Sequence, residues 1–165
     1  MSRGNRGADA AARTLRDAGI ARIFTLSGNH IMPMFDAAID AGIELIHVRH
    51  EAAAVHMADA QARLTGEPAI ALVTGGPGHS NAASALFTAT LAESPVILLS
   101  GHAPNNELGM GAFQEMAQAE VAAPLAKASW ACAGLVGARL TSSLLRAARP
   151  PRSHNVRRHG SRAAR

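Results

Sequence analysis

The stretch HVRHEAAAVHMADAQARLTGEPAIALVTGGPGHSN, residues 47–81, decides the fold. An apolar run over 43–48 predicts a strand and ends at the basic pair Arg49-His50. The Ala-rich segment Glu51 to Thr65 then reads as a helix, stopped by Gly66 and Pro68. A second apolar run over 69–74 predicts another strand, ending in Gly75-Gly76-Pro77-Gly78, and residues 79–92 read as a helix. Strand, helix, strand and helix follow at short spacing, and the strands are continuous apolar runs. Runs of that kind suit strands covered on both faces, and therefore a parallel sheet flanked by helices.

The same grammar extends outward. Upstream, residues 7–18 read as a helix ending at Gly19, and 21–26 as a strand. SGNH follows as a turn, and 31–41 as a helix with Pro33 tolerated in its first turn. Downstream, Pro95 opens a strand over VILLS. The expected fold class is α/β. Open sheets of this class bind ligands at the carboxyl ends of their strands. Glu51, Gly76-Pro77-Gly78 and Gly101-His102 all follow strand ends, so they are expected on one rim.

Composition fits this. Hydrophobic residues make up 48% of the chain but aromatics only 3%, so the core must be built from Ala, Val, Ile, Leu and Met. The net charge of +4 is unevenly spread: residues 1–130 hold eight Lys/Arg and twelve Asp/Glu, whereas 131–165 hold eight Arg and no acid. The basic character belongs to the tail, which argues against a globally basic nucleic-acid binder. The expected division is a folded domain over 1–130 and a divergent Arg-rich tail over 131–165, expected to be disordered. Cys132 is the only cysteine, which fits a reducing cytoplasm. No secretory signal is expected at the N-terminus, and no apolar run approaches the roughly 20 residues a membrane span needs.

Each candidate site residue has a plain reading beside its functional one. Glu51 fits a first-turn acid favoured by the helix dipole. It equally fits a desolvated carboxylate offered to a ligand nitrogen. TGGPGHSN fits a tight strand-to-helix turn, and as a dinucleotide loop it fails, because Asn81 stands where GxGxxG needs its last glycine. Phe113, Gln114 and Glu115 pass for a loop entering a helix. His47, His50 and His56 do not converge on one helix face, and neither HExxH nor CxxC occurs, so no metal site is expected on this chain.

The ordered set FTLSGNHIMPMFDA, RHEAAAVHMADAQARLTG, TGGPGHSN and SGHAPNNELGMGAFQE resembles the N-terminal pyrimidine-binding domain of thiamine-diphosphate enzymes, over roughly residues 7–130. It is most similar to the acetolactate synthase group, which includes 2-hydroxyacyl-CoA lyases and oxalyl-CoA decarboxylases. The resemblance implies that Glu51 hydrogen-bonds N1′ of the cofactor's aminopyrimidine and is the catalytic residue. It implies that Gly28, Pro77, Gly78 and Asn81 line the cofactor, and that Phe113 and Gln114 lie on a loop facing the substrate. Leu26 and Ser27 depart from the tyrosine-proline common at that turn, and MADAQAR departs from the usual glycine-tyrosine version of its helix.

By the same resemblance, the substrate is a 2-keto acid, undergoing decarboxylation or carboligation. The diphosphate and its Mg2+ are held by a separate domain marked by a GDG motif, which is absent from these 165 residues. The chain is expected to be one half of a site, a truncated or frameshifted product inactive alone. An alternative is a small subunit completed by a diphosphate-binding partner chain, in a family whose intact members are homo-oligomers. A third reading is a nucleic-acid binder acting through the Arg tail, without stacking aromatics or a folded motif to support it. An apolar surface that normally meets a partner is expected on the body.

Overall fold

A computed structural model describes residues 6–132. The tail over 133–165, expected to be disordered, lies outside the described residues. The architecture is a four-stranded, all-parallel sheet in the order β2-β1-β3-β4, flanked by helices. The elements are α1 (Gly7–Asp17), β1 (Arg22–Thr25), α2 (Met32–Asp40), β2 (Glu44–His47), α3 (Glu51–Thr65), β3 (Ala69–Val73), α4 (Pro77–Leu91), β4 (Val96–Ser100) and α5 (Gln118–Ala122). A single 3-10 turn, Asn29–Ile31, leads into α2. Among the described residues no helix is long and apolar enough to cross a membrane.

β3 explains the layering. All five of its residues are buried, and alternate side chains enter opposite cores. Ala69, Ala71 and Val73 face α3 and α4, meeting Ala54, Ala58, Ala62, Ala82 and Ala85. Ile70 and Leu72 face the other side, with Leu15 of α1 and Phe35 and Ala38 of α2. The alanines let α3 and α4 approach the sheet and each other closely, as the scarcity of aromatics required.

Two expectations need correction. The strands are not all buried on both faces. Glu44 and His47 at the ends of β2 are exposed, and only Ile97 of β4 is fully buried. These are the two edges of the sheet, each with one neighbour strand. The helix expected to begin at residue 79 begins at Pro77, because Pro77 itself occupies the first helical position, where its missing N–H costs nothing.

The strand order places the site. The chain steps outward from β1 to β2 and then returns to the other side of β1 as β3. The carboxyl ends of β1 and β3 therefore flank the topological switch point, where open α/β sheets form a crevice. Thr25, fully buried at the end of β1, donates from Oγ1 to the Leu72 carbonyl at 2.7 Å and ties the two strands there.

Candidate functional site

Glu51 is the first residue of α3, directly after His50, whose ring nitrogen Nδ1 caps the helix by accepting the Ala52 amide at 3.2 Å. The cap fixes where the helix starts, and so where the carboxylate points. Glu51 is only 9% exposed. Its Oε2 accepts a hydrogen bond from Asn81 Nδ2 at 2.9 Å, while among the described residues no hydrogen bond reaches Oε1. A largely buried carboxylate with one oxygen held by Asn81 and the other still reachable is arranged to accept a hydrogen bond from a ligand.

The surroundings of Oε1 are kept narrow by glycine. A β-carbon at Gly78 would stand 3.2 Å from Glu51 Oε1 and 2.7 Å from Thr74 Cγ2. Gly28, in extended backbone after β1, packs directly on the Thr74 side chain, where any β-carbon would overlap it. Gly76 has φ +60, the left-handed region, and a β-carbon there would lie 2.8 Å from Gln114. Gly28, Thr74, Gly78, Glu51 and Asn81 thus form one continuous patch across the switch point. Pro77 lies exposed on the same turn and carries the backbone into α4.

Phe113 and Gln114 come to this rim from the other side. Phe113 is 66% exposed and its ring lies 6.0 Å from that of His30, tilted by 39°. Gln114 takes a positive φ of 57 and presses its backbone on Gly76. Neither hydrogen-bonds to Glu51. Their loop is braced by Glu115, which accepts the amides of Gly109 at 2.6 Å and Ala112 at 3.1 Å. The Gly109 amide, ahead of the smaller pull from the other loop amides, holds the Glu115 carboxyl below its ordinary value.

Three residues to which the sequence assigned no role help to build the site. Gln118 is 6% exposed and spans the rim: Oε1 accepts the Gly76 amide at 2.7 Å and Nε2 donates to the Gly101 carbonyl at 2.8 Å. Thr74 underlies Gly28 and Gly78, and its Oγ1 lies 3.4 Å from His30 Nδ1. His79 is buried against Ser100, with Nδ1 to Oγ 2.7 Å. Only the position of His79 directly after Gly76-Pro77-Gly78 gave a signal; a lone Gln or Thr gives none.

A cavity of about 280 Å³ opens beside the 101–120 segment, lined by His102, Leu108, Glu115, Met116, Gln118 and Glu120 among others. Glu51, Gly78 and Asn81 do not line it. Among the described residues no three His, Cys, Asp or Glu side chains gather into a potential metal site.

The family model for the thiamine pyrophosphate enzyme N-terminal TPP-binding domain matches residues 5–121. The chain belongs to the thiamine pyrophosphate enzyme family. The resemblance carried by the four motifs is therefore borne out, and so is the fold it implied. Relatives within the family include 2-hydroxyacyl-CoA lyase 2 of Danio rerio, 43% identical over 121 residues, covering 73% of this chain and 20% of that protein. Acetolactate synthase isozyme 3 large subunit of Escherichia coli (strain K12) is 40% identical over 125 residues, covering 75% of this chain and 22% of that protein. Acetolactate synthase large subunit IlvG of Mycobacterium tuberculosis is 40% identical over 116 residues, covering 70% and 21% respectively. The chain spans about a fifth of the length of these curated relatives.

Proposed function

We propose that this chain supplies the aminopyrimidine-binding half of a thiamine-diphosphate site for a reaction of 2-keto acids, decarboxylation or carboligation of the acetolactate-synthase type. The observation that carries this reading is Glu51: buried at a strand end, with Asn81 on Oε2 and Oε1 left open beside Gly78. In this reading Glu51 accepts a hydrogen bond from N1′ of the pyrimidine, and Asn81 holds the carboxylate in place. Gly28, Gly78 and Pro77 give the flat, close wall a planar ring requires. Bound thiamine diphosphate supplies the thiazolium carbon that attacks the keto group and an electron sink for the charge left after decarboxylation. The task of Glu51 is to hold or move a proton at N1′. In this reading the loop of Phe113 and Gln114 faces the substrate.

The 165 residues contain no GDG motif, and among the described residues no acidic cluster suited to Mg2+ forms. The diphosphate and its Mg2+ are therefore held by a segment or chain beyond these residues. This half-site is inactive until joined to that half, whether the two belong to one polypeptide or to a small subunit and its partner. The names of the relatives, acetolactate synthase and 2-hydroxyacyl-CoA lyase, support both a keto-acid and an acyl-CoA thioester as substrate class.

The test is an exchange of segments: residues 6–132 replace the matching part of the E. coli isozyme 3 large subunit. The chimera is expected to hold thiamine diphosphate and consume pyruvate. With Glu51→Gln it is expected to hold the cofactor while turnover falls about 10²–10⁴-fold. A folded, cofactor-loaded chimera that turns over equally well with Glu51→Gln overturns the reading.

A further inference from the structure

His79 has no part in the chemistry above, yet its setting is unusual. It is the third residue of α4, only 4% exposed. Its Nδ1 meets Ser100 Oγ, at the end of β4, at 2.7 Å. Its Nε2 is the one buried side-chain nitrogen or oxygen without a hydrogen-bond partner among the described residues. The backbone carbonyl of Gln118 acts on the ring but makes no well-formed hydrogen bond with it.

The ring belongs to a closed circuit. From His79 the path runs to Ser100 and its neighbour Gly101, whose carbonyl accepts from Gln118 Nε2. Gln118 Oε1 then accepts the Gly76 amide, and the first turn of α4 leads from Gly76 back to His79. A neutral imidazole suits this place. With the proton on Nδ1 it donates to Ser100, and only a bare lone pair is left on Nε2. An imidazolium does not suit it. The second N–H would meet only the poorly aligned Gln118 carbonyl, the cation would be buried, and it would sit in the first turn of a helix, where the dipole repels positive charge.

We propose that His79 is a proton-operated latch: neutral, it holds the first turn of α4 against β4 and Gln118; protonated, it opens the circuit. It is a positioning residue, since α4 also carries Asn81, which holds Glu51. The bearing on Glu51 rests on the reading given under Proposed function, whereas the latch itself does not. Other titratable groups do not supply the effect. Those on the elements packed against α4 are Glu51, His56, Asp59 and Arg63 of α3 and Glu120 of α5; β3 and β4 carry none, and α4 has no other. The influences on the ring are its burial, which pushes its pKa below the ordinary value, and the smaller opposing pull of the Gln118 backbone.

The test reads the Gly76 amide by hydrogen exchange in the full 165-residue chain without cofactor, with the His79 ring titration followed by NMR in the same samples. From about pH 7.5 to about pH 5, protection at Gly76, corrected for intrinsic exchange, is expected to fall about tenfold or more, with the midpoint of the ring titration. In His79→Asn, whose amide can reach Ser100 from the place of Nδ1 but does not titrate, protection is expected to stay flat. A flat wild-type profile, an equal fall in His79→Asn, or a midpoint unlike that of the ring overturns the latch. Should His79→Asn fail to fold, Ser100→Ala decides: it is expected to leave Gly76 unprotected at both ends of the range, and wild-type protection at neutral pH overturns the proposal. Loss of Glu51 function in the chimera would not move any of these readouts.

Discussion

The β3–α4 unit and the segment from Gly101 to Gln118 meet at the same rim, but they are held there by different means. In the first, position follows from packing: β3 is buried on both faces, and α4 starts where Pro77 permits. In the second, irregular backbone is held by a few polar side chains. Gln118 bonds to Gly76 and Gly101, and Glu115 gathers the amides of Gly109 and Ala112. The site is built where a packed half and a hydrogen-bonded half close on one another. The packed half should tolerate little loss of volume, and the other half little loss of a donor or acceptor.

Truncation in the packed half gives the largest expected effect. Leu72→Ala, at a fully buried position of β3, should cost about 2–5 kcal/mol, read as a drop in the urea midpoint with unchanged slope. A smaller loss than an exposed substitution gives would mean that β3 is not the spine of the fold. Gln118→Ala comes next. It leaves the Gly76 amide and Gly101 carbonyl buried and unpaired, and about 2–4 kcal/mol should be lost in the same titration. Near-neutrality there would erase the distinction between the two halves.

These two residues also mark how far the sequence could be read. Leu72 lies in a run of five apolar residues between a Gly-x-Pro stop and a glycine turn, so its strand is legible from that short run and its flanking stops. The rim position of Glu51 followed from the same grammar, and the motif order carried the family. Gln118 was not legible, because its worth depends on meeting Gly76 and Gly101 across long stretches of chain, and nothing local distinguishes it from a surface glutamine. The edge exposure of β2 and β4 was missed for a related reason: an apolar run does not tell how many neighbours a strand has. α4 starts two residues earlier than the sequence suggests, because Pro77 serves as the helix's first residue rather than only as the end of the turn.

The third prediction concerns pH. His79 has a folded pKa below its ordinary value of 6.5, chiefly through burial, so the unfolded chain takes up this proton first as pH falls. Its contribution to stability is therefore complete above 6.5 and lost as pH drops from there toward the folded value. Urea midpoints measured across this window should slope downward for the wild type and less steeply for His79→Asn. Equal slopes would assign the acid sensitivity to other groups.

The smallest effect belongs to Glu115→Gln. The carboxyl of Glu115, lowered chiefly by the Gly109 amide, contributes order above its ordinary value of 4.5 and loses it as pH falls through the folded value. The substitution should quicken proteolytic nicking between Gly109 and Ala112 while leaving the urea midpoint unmoved. A fall in the midpoint would show that this loop is packed into the body rather than pinned to it.

The central claim is that Glu51 handles a proton at the pyrimidine. Its most direct test is hydrogen–deuterium exchange at the thiazolium C2 of thiamine diphosphate bound to the segment-exchanged enzyme, measured by NMR after acid quench. The account predicts fast exchange with the wild-type segment and exchange slowed about 10²–10⁴-fold with Glu51→Gln at equal cofactor occupancy. Equal exchange rates in the two proteins would contradict it.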